Sequence, residues 1–343
     1  MPSSKQPSQV PFVRASIFQP LFAHFANDIP QLTMLLRRNG LPEAIFRDPY
    51  TAVPLQNYLK VVEQAADLAG DPLLGARLGF ESRPGDISAM GLLVMQAGTV
   101  RRALEMLARY TSALQSSTQA TLQTEDECLI LGYQVFAAPD SPLRQDAEYT
   151  LASICNLIRT AFDPRWRPLE VHFRHLAPGM ATQSALRSLF GAPILFGQSA
   201  NRLVVAADEA ARAHRIEDRD MISMIERHLA DITVPTKAEP SIADRVEALI
   251  GLYLGVRPVS LETISQALQM SPRSLQRQLV QEGHTLSGLL QQQRRNLAEA
   301  MLSDPSVSVE KVAMSLGYAD GTAFWRAYRK WTGTSPSLHG RRR

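Results

Sequence analysis

The sequence predicts an α/β amino-terminal domain followed by an all-α carboxy-terminal domain with two helix-turn-helix units joined by a long helix. Three observations favour this organisation. Strand-like segments alternate with helical ones in the first two-thirds of the chain, helical periodicity with two turns fills the remainder, and a Pro-containing stretch separates the two parts. A chain of 343 residues with 45% hydrophobic residues is long enough for two or three domains with substantial cores.

Helices are predicted for the beginning of the amino-terminal domain. Asp28 is placed to cap one helix, residues 54–69 repeat apolar side chains at helical spacing, and Thr99 is placed to cap another helix. The first residues are rich in Ser, Pro and Gln, and we expect 1–14 to form a disordered tail.

Strands are predicted to follow these helices. Thr118–Thr124 and Cys128–Phe136 flank an acidic turn and predict a β-hairpin. The second strand is apolar on both faces, so we expect it to be covered on both sides. The remaining predicted elements are a long helix opening at Ser141–Pro142, strands at 169–174, 193–196 and 202–205, and a helix at 219–231.

The first predicted helix-turn-helix unit spans Ser260–Gly283. Ser260 is placed to cap its first helix. Its second helix begins at Ser271, a good N-cap, and Pro272 suits the first helical position. Leu275 and Leu279 lie one turn apart and are expected to face inward. Side chains that recognise guanine or adenine edges then point outward together: Arg273, Gln276 and Arg277.

The second predicted unit spans Ser308–Thr332, with its turn at Gly317–Asp320. Aromatic residues recur at helical spacing in its second helix, and we interpret them as core rather than as base-stacking groups: Phe324, Tyr328 and Trp331. The side chains left outside are Thr322, Trp325, Arg326 and Arg329. Among these Arg326 is the best candidate for a base contact, whereas Lys330 is a candidate for a phosphate contact.

A helix predicted at 286–303 joins the two units. At 1.5 Å per residue it would be about 27 Å long. Recognition helices in neighbouring major grooves lie about 34 Å apart. The spacing is therefore compatible with one monomer that spans two grooves.

These features resemble the DNA-binding domain of the AraC/XylS family of bacterial transcription regulators, over residues 241–336. The signature is Gly317-Tyr318, Phe324, Arg326, Tyr328, Arg329 and Gly333-Thr334-Ser335-Pro336. The resemblance implies DNA contacts by Arg273, Gln276, Arg277, Gly321, Thr322, Trp325 and Arg326. Val280 stands where the family often has a basic residue, and 337–340 departs from the family's usual aromatic and arginine ending.

The amino-terminal part resembles the arabinose-binding-type sensor domain of one AraC subgroup, over roughly residues 20–210. The matching motifs are Met90–Leu93, Thr99-Val100, Ala103-Leu104, Leu189–Pro193 and Phe196-Gly197. This subgroup includes ornithine-utilisation regulators and quorum-sensing or virulence regulators. The resemblance does not fix the ligand, because such domains are linked to amino acids and other small effectors, and often to none known. Polar side chains of this part of the chain would suit an amino acid, and its many leucines and methionines would equally suit a hydrophobic metabolite. The β-barrel sensor of the arabinose regulator itself does not fit, because helices dominate here.

The charge distribution is consistent with a nucleic-acid partner. The net charge is +3, and Lys and Arg exceed Asp and Glu by five from residue 240 onward, whereas the acids exceed the bases by two before it. Arg341–Arg343 form a basic tail that either contacts the DNA backbone or is simply solvated.

The sequence indicates neither a metal site nor an enzyme. Cys128 and Cys155 fit no disulfide or zinc spacing, and we interpret both as small buried residues. His172 and His175 would point to opposite faces of one strand. No Gly-rich phosphate loop, G-x-S-x-G or H-E-x-x-H motif is present, so we expect no cofactor. An enzyme with a DNA-targeting appendage would need a nucleophile or metal cluster that the sequence does not suggest.

The expected domains are a tail at 1–14, an effector-sensing and dimerisation domain at 15–232, a linker at 233–240, a DNA-binding domain at 241–338 and a basic tail at 339–343. Polar candidates for contacts with an effector are Arg144, Glu148 and Asn156. The resemblance implies a bacterial regulator that is nucleoid-associated when bound to DNA. We expect it to be cytoplasmic, because no secretory signal or apolar run of about 18 residues is present. Expected partners are double-stranded DNA across two adjacent major grooves, RNA polymerase, the effector and a second copy of the chain.

Two functional hypotheses remain open from the sequence. The first is a transcription activator controlled by an effector. The second is a constitutive DNA-binding regulator whose amino-terminal domain only dimerises. The effector, the target promoter, the sign of regulation, the dimer surface and any redox role of the cysteines cannot be derived from the residues.

Overall fold

The computed structural model describes residues 11–41, 43–136, 143–232, 241–254, 258–268, 270–302 and 307–336. The chain divides into two compact units, one formed mainly by residues up to Ala238 and the other by Glu239–Arg343 together with Phe173–Ala177 and Phe196–Ala200. The predicted linker at 233–240, the helix opening at Ser141–Pro142 and the basic tail at 339–343 lie outside the described residues.

Ordered structure in the amino-terminal unit begins earlier than the sequence suggested. Strand β1 (Phe12–Arg14) pairs antiparallel with β2 (Ala52–Pro54), so the end of the expected disordered tail is a strand. Val13 is fully buried and lies opposite Val53 in the register. The burial of this pair requires a partner far along the chain, which the local sequence does not show.

Helices form most of the amino-terminal unit. They are α1 (Gln19–His24), α2 (Ile29–Arg38), α3 (Leu55–Ala69), α4 (Leu74–Glu81), α5 (Ser88–Val94), α6 (Val100–Leu114), α7 (Arg144–Ala161), α8 (Met180–Phe190), α9 (Ala207–Ala211) and α10 (Arg219–Ile232). Thr99 caps α6 as predicted, since its hydroxyl accepts a hydrogen bond of 3.0 Å from the Arg102 amide. Asp28 precedes α2 but makes no side-chain cap.

A five-stranded sheet packs with these helices. Its strands are β3 (Thr118–Glu125), β4 (Cys128–Val135), β5 (Glu170–His172), β6 (Ile194–Leu195) and β7 (Asn201–Ala206), in the spatial order β3-β4-β7-β5-β6. The pairs are antiparallel except β5–β6, which is parallel. The predicted hairpin is confirmed, with Glu125 opposite Cys128. Strand β4 is less completely covered than expected, because Ile130 is only half-buried.

Helices α4 and α7 approach each other through glycines. A Cβ atom added at Gly75 would clash with the Gln145 carbonyl, and one at Gly79 would lie 2.5 Å from the Tyr149 carbonyl. Only a residue without a side chain permits this backbone separation. The close approach fixes the position of α7, whose inward face carries Asp146, Tyr149 and Ser153.

The carboxy-terminal unit is helical in its described part. Its helices are α11 (Ile242–Tyr253), α12 (Leu261–Ala267), α13 (Pro272–Gln281), α14 (Leu286–Leu302), α15 (Val309–Ser315) and α16 (Gly321–Thr332). The core at its far end contains Ala298, Met301, Val312, Leu316, Phe324 and Tyr328. Among the described residues of the chain, no helix combines the length and the apolar character needed to cross a membrane.

Candidate nucleic-acid interface

Two serine side chains cap the amino-terminal ends of α12 and α13. The Ser260 hydroxyl accepts a hydrogen bond of 3.2 Å from the Thr263 amide, and the Ser271 hydroxyl accepts one of 3.2 Å from the Ser274 amide. Leu275 and Leu279 are at most 1% exposed. Both caps and the inward leucines agree with the sequence prediction and fix which face of α13 points outward.

The outer face of α13 carries the three predicted DNA-contact residues. Arg273, Gln276 and Arg277 are all exposed and line one open groove. Their donors are therefore available for bidentate contacts with base edges. Val280 lies on the same face with 60% of its surface exposed, so this point of the face is apolar instead of basic.

Helices α15 and α16 each begin after a capping residue, and the sequence analysis missed the cap of α16. The Ser308 hydroxyl caps α15 by accepting a hydrogen bond of 3.2 Å from the Lys311 amide. The Asp320 carboxylate caps α16 by accepting one of 2.7 Å from the Ala323 amide. Asp320 was assigned only to the turn, although an Asp one residue before the helix is itself a cap signal.

The aromatic residues of α16 form core, as predicted. Phe324 and Tyr328 are fully buried, with ring centroids 5.6 Å apart. Trp331 is half-buried and lies 6.4 Å from the Tyr328 ring. These rings anchor α16 and are not available to stack on bases.

The other face of α16 carries the remaining candidates. Thr322, Arg326, Arg329 and Lys330 are exposed. Trp325 is half-buried, and the Arg329 guanidinium lies over its ring at 5.4 Å. Gly321 begins the helix, and an added Cβ there would meet Glu310 only at ordinary contact distance, 3.6 Å. The small residue leaves the first turn open to close approach by a ligand.

Glu282, just after α13, holds that helix against the beginning of α11. Its carboxylate accepts hydrogen bonds from the Ile242 and Ala243 amides, at 2.9 and 2.8 Å. These amides lie in the first turn of α11, where they have no partner within the helix and where the helix dipole favours an anion. The sequence analysis did not find this contact.

Arg294 of α14 supports the second pair of helices. Its Nε donates to the Leu316 carbonyl at 3.0 Å, at the end of α15, and its guanidinium lies 4.6 Å from the centre of the Tyr318 ring. The cation thus satisfies a carbonyl at a helix terminus and packs on the turn before α16. This contact also escaped sequence analysis.

The candidate effector residues already have partners within the amino-terminal unit. Arg144 forms an ion pair of 2.9 Å with Glu148 and donates to the Pro72 carbonyl at 2.8 Å. Asn156 donates to the Ser82 carbonyl at 2.7 Å. Asn156 lies eight residues beyond Glu148 in α7, about 12 Å along the axis. The structure brings Arg144 and Glu148 together but places Asn156 at a separate contact.

The described residues contain no cluster of three or more His, Cys, Asp or Glu side chains suited to a metal ion. Burial raises the pKa of the Cys155 thiol to about 12, so it remains protonated at neutral pH. Cys128, expected to be buried, is only half-buried.

Comparison with known protein families gives two matches. A family model described as the arabinose-binding domain of AraC transcription regulators, amino-terminal, matches residues 31–213, and a helix-turn-helix domain model matches residues 264–342. The chain belongs to the AraC family of transcription regulators.

Named relatives of this AraC-family protein are themselves regulators. It is 28% identical to the HTH-type transcriptional regulator VirS of Mycobacterium tuberculosis, over 88% of each chain. It is 24% identical to the ornithine utilization regulator of Pseudomonas aeruginosa, over 85% of this chain and 86% of the relative. The crystal structure of transcriptional regulator CdpR from Pseudomonas aeruginosa covers 90% of this chain and 96% of its own, at 18% identity and a TM-score of 0.43. The two family-model matches and the names of the first two relatives support a DNA-binding transcription regulator rather than an enzyme.

Proposed function

We propose that this regulator recognises a two-part DNA site, with α13 and α16 as recognition helices in adjacent major grooves. The observation that carries the proposal is the same division of faces in both helices. Each buries an apolar inner face and leaves arginines on an exposed outer face. Helix α14, with 17 residues, is about 26 Å long, which is compatible with recognition helices about one DNA turn apart.

Different roles follow from the chemistry of the exposed side chains. Arg273, Gln276 and Arg277 contact base edges from α13, and Arg326 does so from α16. Lys330 contacts phosphate as a point charge, and Arg329, stacked on Trp325, contacts the backbone. Thr322 and the open first turn at Gly321 allow α16 to approach the DNA closely.

Selection of bound sequences from random DNA, followed by methylation interference, tests this proposal. We expect two clusters of contacted guanines about 10 base pairs apart. Inserting five base pairs between the clusters should abolish high-affinity binding, because it rotates one half-site to the opposite side of the DNA. A single cluster would contradict the two-groove arrangement, and no sequence preference at all would contradict the function.

The amino-terminal domain, residues 15–232, is proposed to control this activity through a small-molecule effector, with 233–240 as the linker to the DNA-binding domain at 241–338. An effector that binds one conformation better than another shifts the population towards it. We further propose that the protein activates transcription through contact with RNA polymerase, as a homodimer in the bacterial cytoplasm. The match to a sensor-type family model supports the effector role.

A constitutive regulator whose amino-terminal domain only dimerises is the alternative. A thermal-shift screen of the full chain against amino acids, fatty acids and common catabolites distinguishes the two. A ligand at a hundred times its dissociation constant adds about 2.7 kcal/mol to the stability of the domain that binds it. A ligand that stabilises the protein and changes promoter-fragment affinity supports effector control, whereas dimerisation without any such ligand supports the alternative. Transcription in vitro with added RNA polymerase then tests activation.

A further inference from the structure

A cavity of about 50 Å³ lies in the amino-terminal unit, between the β3–β4 hairpin and helices α5, α6 and α7. Its walls are mostly apolar, and they include Met90, Leu107, Leu114, Leu131, Ile154 and Leu157. The cavity is equivalent to about three to five water-sized volumes. Such walls give buried water few polar partners, so the space is suited to an apolar occupant.

One polar group at this cavity has no partner. Tyr149 lines the cavity and is 8% exposed. Burial raises the pKa of Tyr149, and the Ser153 hydroxyl, one turn along α7, opposes this shift. Among the described residues, however, no group forms a hydrogen bond of acceptable distance and angle with the Tyr149 hydroxyl. Buried hydroxyl groups are normally satisfied, so an unpartnered one that lines a cavity indicates that a ligand supplies the partner.

Neighbouring polar groups at the cavity are already paired. The Tyr133 hydroxyl donates to Asp146 Oδ2 at 2.8 Å and accepts from Gln115 Nε2 at 3.3 Å. The Thr111 hydroxyl donates to the Leu107 carbonyl at 2.6 Å. Unlike these groups, the Tyr149 hydroxyl has unused hydrogen-bonding capacity, and one polar atom on a ligand would satisfy it.

The charge around the cavity selects against ions. Its described lining contains no Lys, Arg or His, and two acidic groups, Asp86 and Asp146, both raise the pKa of Tyr149. A bound carboxylate would be buried without a cation and close to another carboxylate. A free amino acid would carry the same uncompensated carboxylate.

We infer that this cavity is the effector site and that it takes a compact, uncharged, mainly apolar molecule with one hydroxyl group, of the phenol or cyclic alcohol class. The ligand hydroxyl pairs with Tyr149, and its ring contacts the aliphatic walls. A benzene ring fits an apolar cavity of about 150 Å³, so a ring requires this cavity to open substantially, and Met90 can contribute because its side chain is flexible and adaptable. The inference rests on the proposed effector control and narrows its two ligand classes to the apolar one.

Phenol is the probe for this inference, with benzoate as the charged comparison of similar shape. Binding to the full-length protein is measured by saturation-transfer NMR and by thermal unfolding. We expect phenol to bind and to raise the unfolding temperature with dose, and benzoate to do neither. Equal binding of benzoate, or no binding of phenol, would overturn the inference.

Two variants locate the site. Tyr149→Phe removes only the hydroxyl, and we expect phenol to bind about ten-fold more weakly while the protein remains folded, as for the loss of one hydrogen bond. Ala120→Leu adds volume to the lining and should prevent binding. Tyr110→Phe is the matched control. The Tyr110 hydroxyl donates to Glu226 at 2.9 Å, and Tyr110 does not line the cavity, so this variant should bind phenol normally.

The outcomes separate this inference from the broader function. If Tyr149→Phe binds phenol as tightly as the unchanged protein, the site is wrong. If phenol binds at the cavity but changes neither promoter-fragment affinity nor transcription, the cavity is not the effector site. In both cases sequence-selective DNA binding, measured without phenol, still decides the proposed function independently.

Discussion

Neighbouring cations on α16 differ in how their side chains are held. Arg329 is stacked over the Trp325 ring at 5.4 Å, so its orientation is restricted. Arg326 is exposed on the same outer face, and the guanidinium can form two parallel hydrogen bonds with guanine. Lys330 is exposed one turn further on and presents a compact charge.

We predict that Arg326→Ala weakens binding to the cognate site by about 1–3 kcal/mol and relaxes specificity at one position. Lys330→Ala is the comparison, since a lost phosphate contact weakens binding to all sequences alike and reduces the salt slope by about one. Fluorescence anisotropy with cognate and scrambled DNA at several salt concentrations measures both. If Arg326→Ala binds the cognate site as tightly as the unchanged protein does, the second recognition surface has been assigned to the wrong residues.

Asp146 is an acid held in an unfavourable environment. It is 1% exposed, and desolvation raises its pKa to about 6, although hydrogen bonds from Tyr133 and Tyr58 oppose the shift. The folded state therefore binds a proton more tightly than the unfolded state does. Stability from this group is greatest below the unfolded pKa of about 4 and falls as the pH rises to about 6.

We predict that Asp146→Asn flattens this pH dependence. The stability of the variant relative to the unchanged protein should increase from pH 4 to pH 6, by on the order of 2–3 kcal/mol, and stay constant above pH 7. The amide oxygen can still accept the Tyr133 hydrogen bond, so a constant offset is compatible with the prediction. Thermal unfolding across this pH range tests it, and a stability difference independent of pH would show that Asp146 is not perturbed.

At the scale of elements, the packing of α4 against α7 depends on glycine. We predict that Gly79→Ala destabilises the amino-terminal unit by about 1–3 kcal/mol, because its new methyl group would lie 2.5 Å from the Tyr149 carbonyl. Gly85→Ala is the matched control, since an added Cβ there meets nothing within 4 Å. Chemical unfolding compares the stabilities of the two variants. Equal stabilities would mean that α4 and α7 can move apart to accommodate the methyl group without a loss of stability.

Glu282 connects two elements that are distant in the sequence. We predict that Glu282→Ala destabilises the carboxy-terminal unit by about 1.5–3 kcal/mol, since it leaves the Ile242 and Ala243 amides without their carboxylate. Gln291→Ala, on the exposed face of α14, should change stability by less than about 0.5 kcal/mol. Thermal unfolding of the full-length variants provides the comparison. If Glu282→Ala is as stable as the Gln291→Ala control, the Glu282 contact contributes no more to stability than an ordinary surface interaction.

At the scale of the whole molecule, the sequence predicted those features that depend on residues close together along the chain. The caps Thr99, Ser260 and Ser271 were predictable because a cap bonds to an amide three residues away. The outward face of α13 followed from helical spacing. In contrast, Glu282 contacts amides 39 and 40 residues away, and no local pattern indicates such a pair. The cavity was equally inaccessible, because its walls come from several helices and a hairpin.

The same cavity makes the protein sensitive to hydrostatic pressure. Unfolding eliminates internal voids, and a void of about 50 Å³ corresponds to about 30 mL/mol, which is within the usual range of unfolding volumes. We predict that Ala120→Leu raises the midpoint pressure of unfolding of the amino-terminal unit, whereas Tyr110→Phe leaves it unchanged. High-pressure fluorescence measures this, since the buried Trp166 reports on that unit. A bound effector should also raise the midpoint pressure of unfolding, because it fills the same cavity. Compression and ligand would then act on the regulator through the same internal volume.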